Sequence, residues 1–211
     1  MFIILLILQN NLLNEKLFDV LQKFELFWIC IIAILFSSTS ISGDTETGII
    51  EFLKISPISH NEYFISKLIF ALFQYLIFSC IYLVTFYLLS ISYGQLVFII
   101  SFVLLFGPYL FIYFFVVLLL LFVSTIFKKN YYPLAIGCGF PIYLLVMNSF
   151  VSKLLKIEQF NPAFLFNNEL LKIRSGLDYN LSFWVIFSIF IIVLFVTTNY
   201  KTKRFWREIK E

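Results

Sequence analysis

Long runs of apolar residues, separated by short polar stretches, dominate the pattern along this chain. When each run is ended at the first cluster of charged or turn-forming residues, five runs are long enough to cross a bilayer, for which about 20 residues suffice. They are residues 24–42, 67–92, 95–127, 131–152 and 181–200. The pattern therefore predicts an all-α, polytopic membrane helix bundle. The N-terminal stretch MFIILLILQNNLL is too short for a full crossing and predicts a short or incomplete further span.

Prolines and glycines interrupt two of the predicted spans. Gly107 and Pro108 lie inside the longest run, which we interpret as one tilted helix, kinked where proline removes a backbone donor. Pro133 and Pro141 predict an irregular fourth helix. Lipid tolerates such breaks where neighbouring helices or cavity water satisfy the freed backbone groups, so the pattern is compatible with an internal path.

The composition agrees with lipid as the solvent. Hydrophobic residues make up 62% of the 211 positions and charged residues only 13%, whereas soluble domains carry about a quarter charged residues. The spans use nearly all of residues 1–211 as a single transmembrane domain, which leaves no room here for an ATP-hydrolysing or nucleic-acid-binding domain. One histidine, and three cysteines without CxxC spacing, argue against a metal site, and no cofactor is expected.

The placement of the basic residues predicts the orientation. If loop 43–66 is cytoplasmic, nine basic residues lie on that side and six on the other, in agreement with the positive-inside rule. The nine are Lys54, Lys67, Lys128, Lys129, Lys201, Lys203, Arg204, Arg207 and Lys210; the six are Lys16, Lys23, Lys153, Lys156, Lys172 and Arg174. We therefore expect a cytoplasmic C-terminus with a basic tail at 201–211, and an extracytoplasmic loop at 153–180.

The cytoplasmic loop 43–66 has an organisation of its own. A helix read from about Thr47 to Lys54 places Ile49, Phe52 and Leu53 on one stripe and Glu51 and Lys54 on another. Pro57 ends this helix. Ser59 then caps a second helix, with Glu62 as its capping-box partner, and that helix runs through Lys67 into the membrane. The loop thus predicts a short amphipathic helix on the membrane face, joined by a proline turn to a spanning helix.

These residues resemble the signature of ABC-2-type permeases, the membrane subunits of one class of ATP-binding-cassette exporters. The family pattern is E-x-G-T-x-E-x-L, followed by P-[IV]-S and by a lysine that opens the next helix. The chain matches it at Glu46, Gly48, Glu51, Leu53, Pro57, Ile58, Ser59 and Lys67. It departs at Ile49, where the pattern usually has threonine. The span count and Asn161-Pro162 in the outer loop extend the resemblance, which implies a six-span architecture.

By this resemblance, loop 43–66 would contain the coupling helix that docks on a separate ATPase subunit. Glu46 and Glu51 would then pair with basic residues of that ATPase; the alternative is that they are solvated charges. The glycines of Gly43–Gly48 have P-loop spacing, but the lysine and the Ser/Thr that such a loop needs are replaced by isoleucines. ATP hydrolysis is accordingly expected in a partner chain, and this chain is expected to be non-catalytic.

The outer loop 153–180 is more apolar than a free linker. Pro162 suits the first turn of a short interfacial helix that carries Phe164, Leu165 and Phe166. In the resembled family this region folds back into the outer leaflet as an external gate, which would comprise Asn161, Pro162, Phe164 and Phe166. An interfacial helix that merely anchors the loop is the alternative.

The resemblance implies a permease subunit of the bacterial cell membrane, working as a homodimer or with a paralogous permease. Its path is apolar and aromatic, which favours export of a hydrophobic or amphipathic substrate of drug, lipid or peptide type. A haem-exporter-type permease is the nearest alternative, and a membrane immunity or structural protein is another. An intramembrane enzyme would need paired acids, a Ser/His dyad or a metal cluster, and the spans contain no such set. No nucleic-acid partner is expected.

Overall fold

A computed structural model describes residues 28–29, 31–32, 35, 41–93, 97–127, 129, 131–146, 168–170, 172–173 and 180–210. Six helices have defined bounds there: α1 (Ile41–Glu46), α2 (Ile49–Ile55), α3 (His60–Tyr93), α4 (Val97–Ile126), α5 (Tyr131–Val146) and α6 (Leu181–Lys210). The residues described at 28–35 and 168–173 are helical as well. Within these ranges there is no strand, in agreement with the predicted all-α fold.

Three helices are long and apolar enough to cross a membrane, at His60–Val84, Phe106–Ile126 and Leu181–Ile209. They correspond to the second, third and fifth predicted spans, which are confirmed as candidates by length and composition. Residues 1–13, most of residues 24–42, and residues 147–152 lie outside the described ranges. The N-terminal, first and fourth predicted spans therefore remain predictions.

Helix α4 is the central element of the described bundle. It contacts α1, α3, α5 and α6. Most side chains on one broad side of the helix are buried, and Tyr113, Val117, Leu120 and Leu121 are fully buried. A helix that is apolar all round belongs in the interior. The helix continues through Pro108, whereas the predicted kink at this proline stays a prediction.

Two tyrosines join α3 to α4 within the apolar interior. The Tyr75 hydroxyl donates to the carbonyl of Phe106 at 3.0 Å, and the Tyr113 hydroxyl donates to the carbonyl of Ala71 at 3.0 Å. The two tyrosine rings also contact each other, with centroids 5.1 Å apart. A buried hydroxyl without a partner would be costly in lipid, so these reciprocal bonds fix how α3 and α4 pack.

The outward faces of α3 and α6 are strongly apolar. Large exposed side chains on these faces include Ile69, Phe73, Ile77 and Ile81 of α3, and Ile186, Ile189, Phe190 and Val193 of α6. In water, an exposed apolar surface of this extent would be unfavourable. Lipid is the solvent that such faces fit, and this agrees with the assignment of both helices as spans.

Three helix boundaries in the structure refine the predicted organisation. The loop predicted from residue 43 begins with a helix, α1, because its polar side chains find partners inside the protein. The helix predicted to begin at the Ser59 cap and to run through Lys67 into the second span is α3, which begins at His60. The helix of the fifth predicted span continues past Tyr200: α6 runs on to Lys210, so the basic tail is helical.

Candidate functional site

The segment from α1 to α3 is folded by local hydrogen bonds. In α1 and the turn after it, the hydroxyls of Thr45 and Thr47 donate to the carbonyls of Ile41 and Gly43, at 2.8 and 2.9 Å. Gly48 follows with φ of 76°, in the left-handed region that glycine adopts without steric cost. The turn at Thr47–Gly48 therefore ends α1 and begins α2. The predicted helix start at Thr47 is accordingly shifted to Ile49.

The predicted capping box after Pro57 is confirmed. Helix α2 ends at Ile55, and Ser56 has an extended backbone. The Ser59 backbone N–H donates to the Glu62 carboxylate at 2.7 Å, and the Glu62 N–H donates to the Ser59 hydroxyl oxygen at 3.3 Å. This reciprocal pair satisfies two donors at the start of α3. The angle between α2 and α3 is thus set by a short, well-bonded connection.

Helix α2 has one anchored side and one exposed side. Ile50 is buried and Leu53 packs against the core, whereas Phe52 and Ile55 are 73% and 85% exposed. Ile49 is exposed on the same side as these two. The three residues of the predicted stripe, Ile49, Phe52 and Leu53, lie within about 100° of arc on a helix. Burial divides them: Ile49 and Phe52 are exposed, whereas Leu53 packs against the core beside Ile50. The exposed row Ile49–Phe52–Ile55 is named here the α2 outer row.

Charged residues flank the α2 outer row. Glu51 lies 3.0 Å from Lys54 within the helix, and both side chains are accessible. Glu46, at the end of α1, is exposed. Pro57 and Ser59 are exposed beyond α2, whereas Ile58 packs against the core. Every signature residue from Glu46 to Ser59 thus lies in one short stretch around α2, and the acidic ones are accessible to a partner.

A buried ion pair holds α1 against α3. The ammonium of Lys67 lies 2.7 Å from Asp44 Oδ2, and the hydroxyl of Tyr63 donates to the same oxygen at 2.5 Å. Tyr63 and Lys67 are one turn apart on α3, so both reach the carboxylate from one side, and the ammonium lies 5.4 Å from the Tyr63 ring centre. The signature lysine therefore faces inward to Asp44, away from the surface around α2.

The same cluster extends to α6 and α4. The indole ring of Trp206 stacks on the ring of Tyr63, with centroids 5.0 Å apart and planes at 29°. Helix α6 also contacts α2. On the other side of α1, the Ser42 hydroxyl lies 3.4 Å from the Ser124 hydroxyl of α4, a long hydrogen bond. The short helices are therefore connected to all three candidate spans.

Three residues of this cluster are not predicted from the sequence. Asp44, Tyr63 and Trp206 carry no part in the signature, although all three are buried. The four-residue spacing of Tyr63 and Lys67 is a usable signal, because it places both on one helix face. Nothing in the sequence pairs that face with Asp44 or with a tryptophan in the basic tail.

Part of the outer loop contacts the start of α6. Glu169 is buried, lies 2.7 Å from the ammonium of Lys172, and accepts a bond from the Asn180 N–H at 2.7 Å. Leu170 is fully buried and Ile173 packs against the core. This part of the loop thus folds back onto the bundle. The predicted gate residues Asn161, Pro162, Phe164 and Phe166 lie outside the described residues, and their role stays a prediction.

The described residues around α2 also differ from the arrangement that a metal site needs. In the part of the chain that the structure describes, no group of three or more His, Cys, Asp or Glu side chains is placed to hold a metal ion. The arrangement is a short helix with an exposed apolar row, connected through α1 and the cluster around Asp44 to the three candidate spans. The fold and the site thus define a polytopic helical membrane protein with a short surface helix that exposes an apolar row.

Comparison with known families agrees with this class. The family model of the ABC-2 family transporter proteins matches residues 21–200. The chain therefore belongs to the ABC-2 family of transporter proteins, the membrane components of transport systems, and the family implies an ATPase partner. A search of curated proteins found no match. A search of solved structures found no match either.

Proposed function

We propose that this chain is the permease subunit of an ATP-driven exporter, and that α2 is the coupling helix that binds a separate ATPase subunit. The observation that carries the proposal is the α2 outer row. Phe52 and Ile55 are exposed although Ile50 and Leu53 anchor the same helix to the core, and the flanking acids Glu46 and Glu51 are accessible. Protein interfaces of this kind have an apolar centre surrounded by polar residues.

The anchoring of α2 supports transmission of force. A movement imposed on α2 passes through the turn at Gly48 to α1, and from Asp44 to Tyr63 and Lys67 of α3. It also passes through the Trp206–Tyr63 stack to α6. Closed ATPase subunits would displace α2 and so favour one of two arrangements of the bundle over the other.

The remaining features of the exporter follow from the same proposal. Two permease chains, identical or paralogous, would form the transport path between them, in the bacterial cell membrane and with the C-terminus in the cytoplasm. The bias of basic residues toward the side of α2 supports that orientation. The apolar and aromatic interior around α4 supports a hydrophobic or amphipathic substrate, of drug, lipid or peptide type. The gating role of residues 161–166 belongs to this proposal as well.

The test is co-purification of the ATPase from the native membrane. The tagged chain is extracted in mild detergent, and co-eluting P-loop ATPases are identified and quantified. Phe52→Ala/Ile55→Ala truncates the two most exposed members of the α2 outer row without touching the core, so the protein should reach the membrane at the normal level. Interface centres lose about 1–2 kcal/mol or more for each truncated anchor, so ATPase recovery should fall by about tenfold or more.

A matched control distinguishes the loss of the docking surface from the loss of exposed apolar side chains elsewhere in the protein. Ile189→Ala/Phe190→Ala removes the same two side-chain types from the exposed face of α6, where both are similarly accessible. This control should recover the ATPase as the wild type does. Equal recovery by the Phe52→Ala/Ile55→Ala variant would refute the docking surface. Absence of any ATPase with the wild type, where a known transporter retains its own, would refute the coupling role.

A further inference from the structure

Helix α6 carries an exposed row that spans the boundary between lipid and water. Its members recur every three or four residues, so they lie along one side of the helix. The apolar members are Ile186, Ile189, Val193 and Val196, all more than half exposed, and Tyr200 follows at 66%. Tyrosine is typical of the membrane interface, because its ring is apolar and its hydroxyl is polar. The row is therefore lipid-facing up to Tyr200.

Basic residues continue the same row beyond Tyr200. Lys203, Arg204 and Arg207 are exposed, and with Tyr200 and Glu208 they line a cleft of about 390 Å³. Glu208 lies 3.1 Å from the Nε of Arg204. Among the described residues, no carboxylate pairs with Lys203 or Arg207. The cleft therefore keeps two cationic side chains available for an anion.

The depth of these residues follows from helix geometry. From Leu181 to Tyr200 the helix rises about 30 Å, which equals the thickness of the hydrocarbon layer. Lys203 and Arg207 then lie about 4 and 10 Å beyond Tyr200 along the axis. The headgroup layer begins at that depth, and long basic side chains reach back into it. Phosphate groups of lipids are thus within reach of the cleft.

We propose that the cleft of Tyr200, Lys203, Arg204 and Arg207 binds the headgroup phosphate of an anionic phospholipid, whose acyl chains lie along the exposed row of α6. The proposal rests on the proposed function only for the side of the membrane, the cytoplasmic leaflet. The planar guanidinium groups suit bidentate binding of phosphate, and basic clusters next to a span attract anionic lipids. A second copy of α6 packed on the same row would bring like charges together, so lipid is the occupant that the charges favour.

The opposite face of the same two turns supports the site around α2. Phe205 and Trp206 are buried there, and Trp206 stacks on Tyr63. A lipid bound in the cleft would hold these turns helical and in place. We therefore expect anionic lipid to stabilise the packing of α6 against α3 and α2.

Native mass spectrometry of the full-length protein in detergent tests the proposal. Phosphatidylglycerol and phosphatidylcholine of equal chain length are added in equal amounts, and the bound lipids are counted. The wild type should prefer phosphatidylglycerol. Each basic residue near an anionic surface raises binding by about fivefold, so Lys203→Gln/Arg204→Gln/Arg207→Gln should lower the preference by at least about tenfold.

The matched control removes three basic residues from the outer loop, as Lys153→Gln/Lys156→Gln/Arg174→Gln, and should keep the wild-type preference. Should the triple variant of the cleft fail to fold, Arg207→Gln alone should lower the preference by about fivefold. An equal preference in wild type and cleft variant would overturn the proposal. So would displacement of the lipid by inorganic phosphate at equal concentration, since the site would then bind phosphate without the acyl chains.

The outcome is independent of ATPase docking. The Phe52→Ala/Ile55→Ala variant leaves the cleft intact and should keep the preference for phosphatidylglycerol while it loses the ATPase. If the cleft variant loses the lipid preference but recovers the ATPase normally, the lipid site is separate from the docking surface, as the proposal requires. A wild type that prefers phosphatidylglycerol but recovers no ATPase would refute the coupling role alone.

Discussion

Neutralising Asp44 should destabilise the protein far more than neutralising Glu51, although both carboxylates lie in ion pairs of similar length. The distances are 2.7 Å for Asp44–Lys67 and 3.0 Å for Glu51–Lys54. The difference is burial: the Asp44 and Lys67 side chains are 8% and 14% exposed, whereas Glu51 is 70% exposed. Removing one partner of a buried pair leaves an uncompensated charge, which costs about 3–5 kcal/mol. An exposed pair contributes about 1 kcal/mol or less.

Asp44→Asn is the informative change, because asparagine keeps an acceptor for the Tyr63 hydroxyl and removes only the charge. We therefore expect the lower end of that range, about 3 kcal/mol. Thermal unfolding of the purified protein in detergent, followed by tryptophan fluorescence, measures the effect. For a chain of this size each 1 kcal/mol lowers Tm by about 2–4 °C, so Asp44→Asn should lower Tm by roughly 6–12 °C. Glu51→Gln should lower it by less than about 4 °C.

A double-mutant cycle tests whether the loss arises from the pair itself. Lys67→Met removes the buried ammonium, and the methionine keeps most of the apolar length of lysine. In the double variant Asp44→Asn/Lys67→Met no buried charge remains unpaired, so its loss should be smaller than the sum of the two single losses. Additive losses, or equal losses for Asp44→Asn and Glu51→Gln, would refute the reasoning.

The same unfolding assay checks three further expectations. Gly48→Ala should cost about 1–2 kcal/mol from the left-handed backbone alone, since no atom lies within 4 Å of an added Cβ; an unchanged Tm would contradict this. Trp206→Ala should cost about 3–5 kcal/mol and Trp206→Phe clearly less, because phenylalanine still stacks; equal losses would speak against the stack. Tyr113→Phe should cost about 1 kcal/mol by losing its bond to Ala71, whereas Tyr200→Phe, which is exposed, should leave Tm unchanged.

The sequence predicts those parts of the fold whose causes are local. The spans around α3, α4 and α6 follow from runs of apolar residues, and the start of α3 follows from the spacing of Ser59 and Glu62. Pro57 correctly marks the end of α2. Each of these signals acts within a few residues or along one helix, so no knowledge of the tertiary fold is needed.

The parts that the sequence does not predict depend on distant partners. Asp44 is a short polar residue in a polar loop, and such residues are usually exposed; it is buried because Tyr63 and Lys67 reach it from α3. Trp206 lies in a basic segment that reads as a free tail, yet its ring stacks on Tyr63. Leu53 shares one predicted apolar stripe with Phe52, and only packing against the core distinguishes the two residues.

Helix α6 is unbroken from Leu181 to Lys210 and is therefore about 45 Å long. At one end Glu169 bonds to the residue before its first turn, and at the other Trp206 packs on Tyr63. A rod of this length that tilts by about 10° around one end carries the other end about 8 Å sideways. Because no loop or hinge interrupts α6, a tilt that displaces the helix at one face of the membrane also changes the direction of the helix at the opposite face.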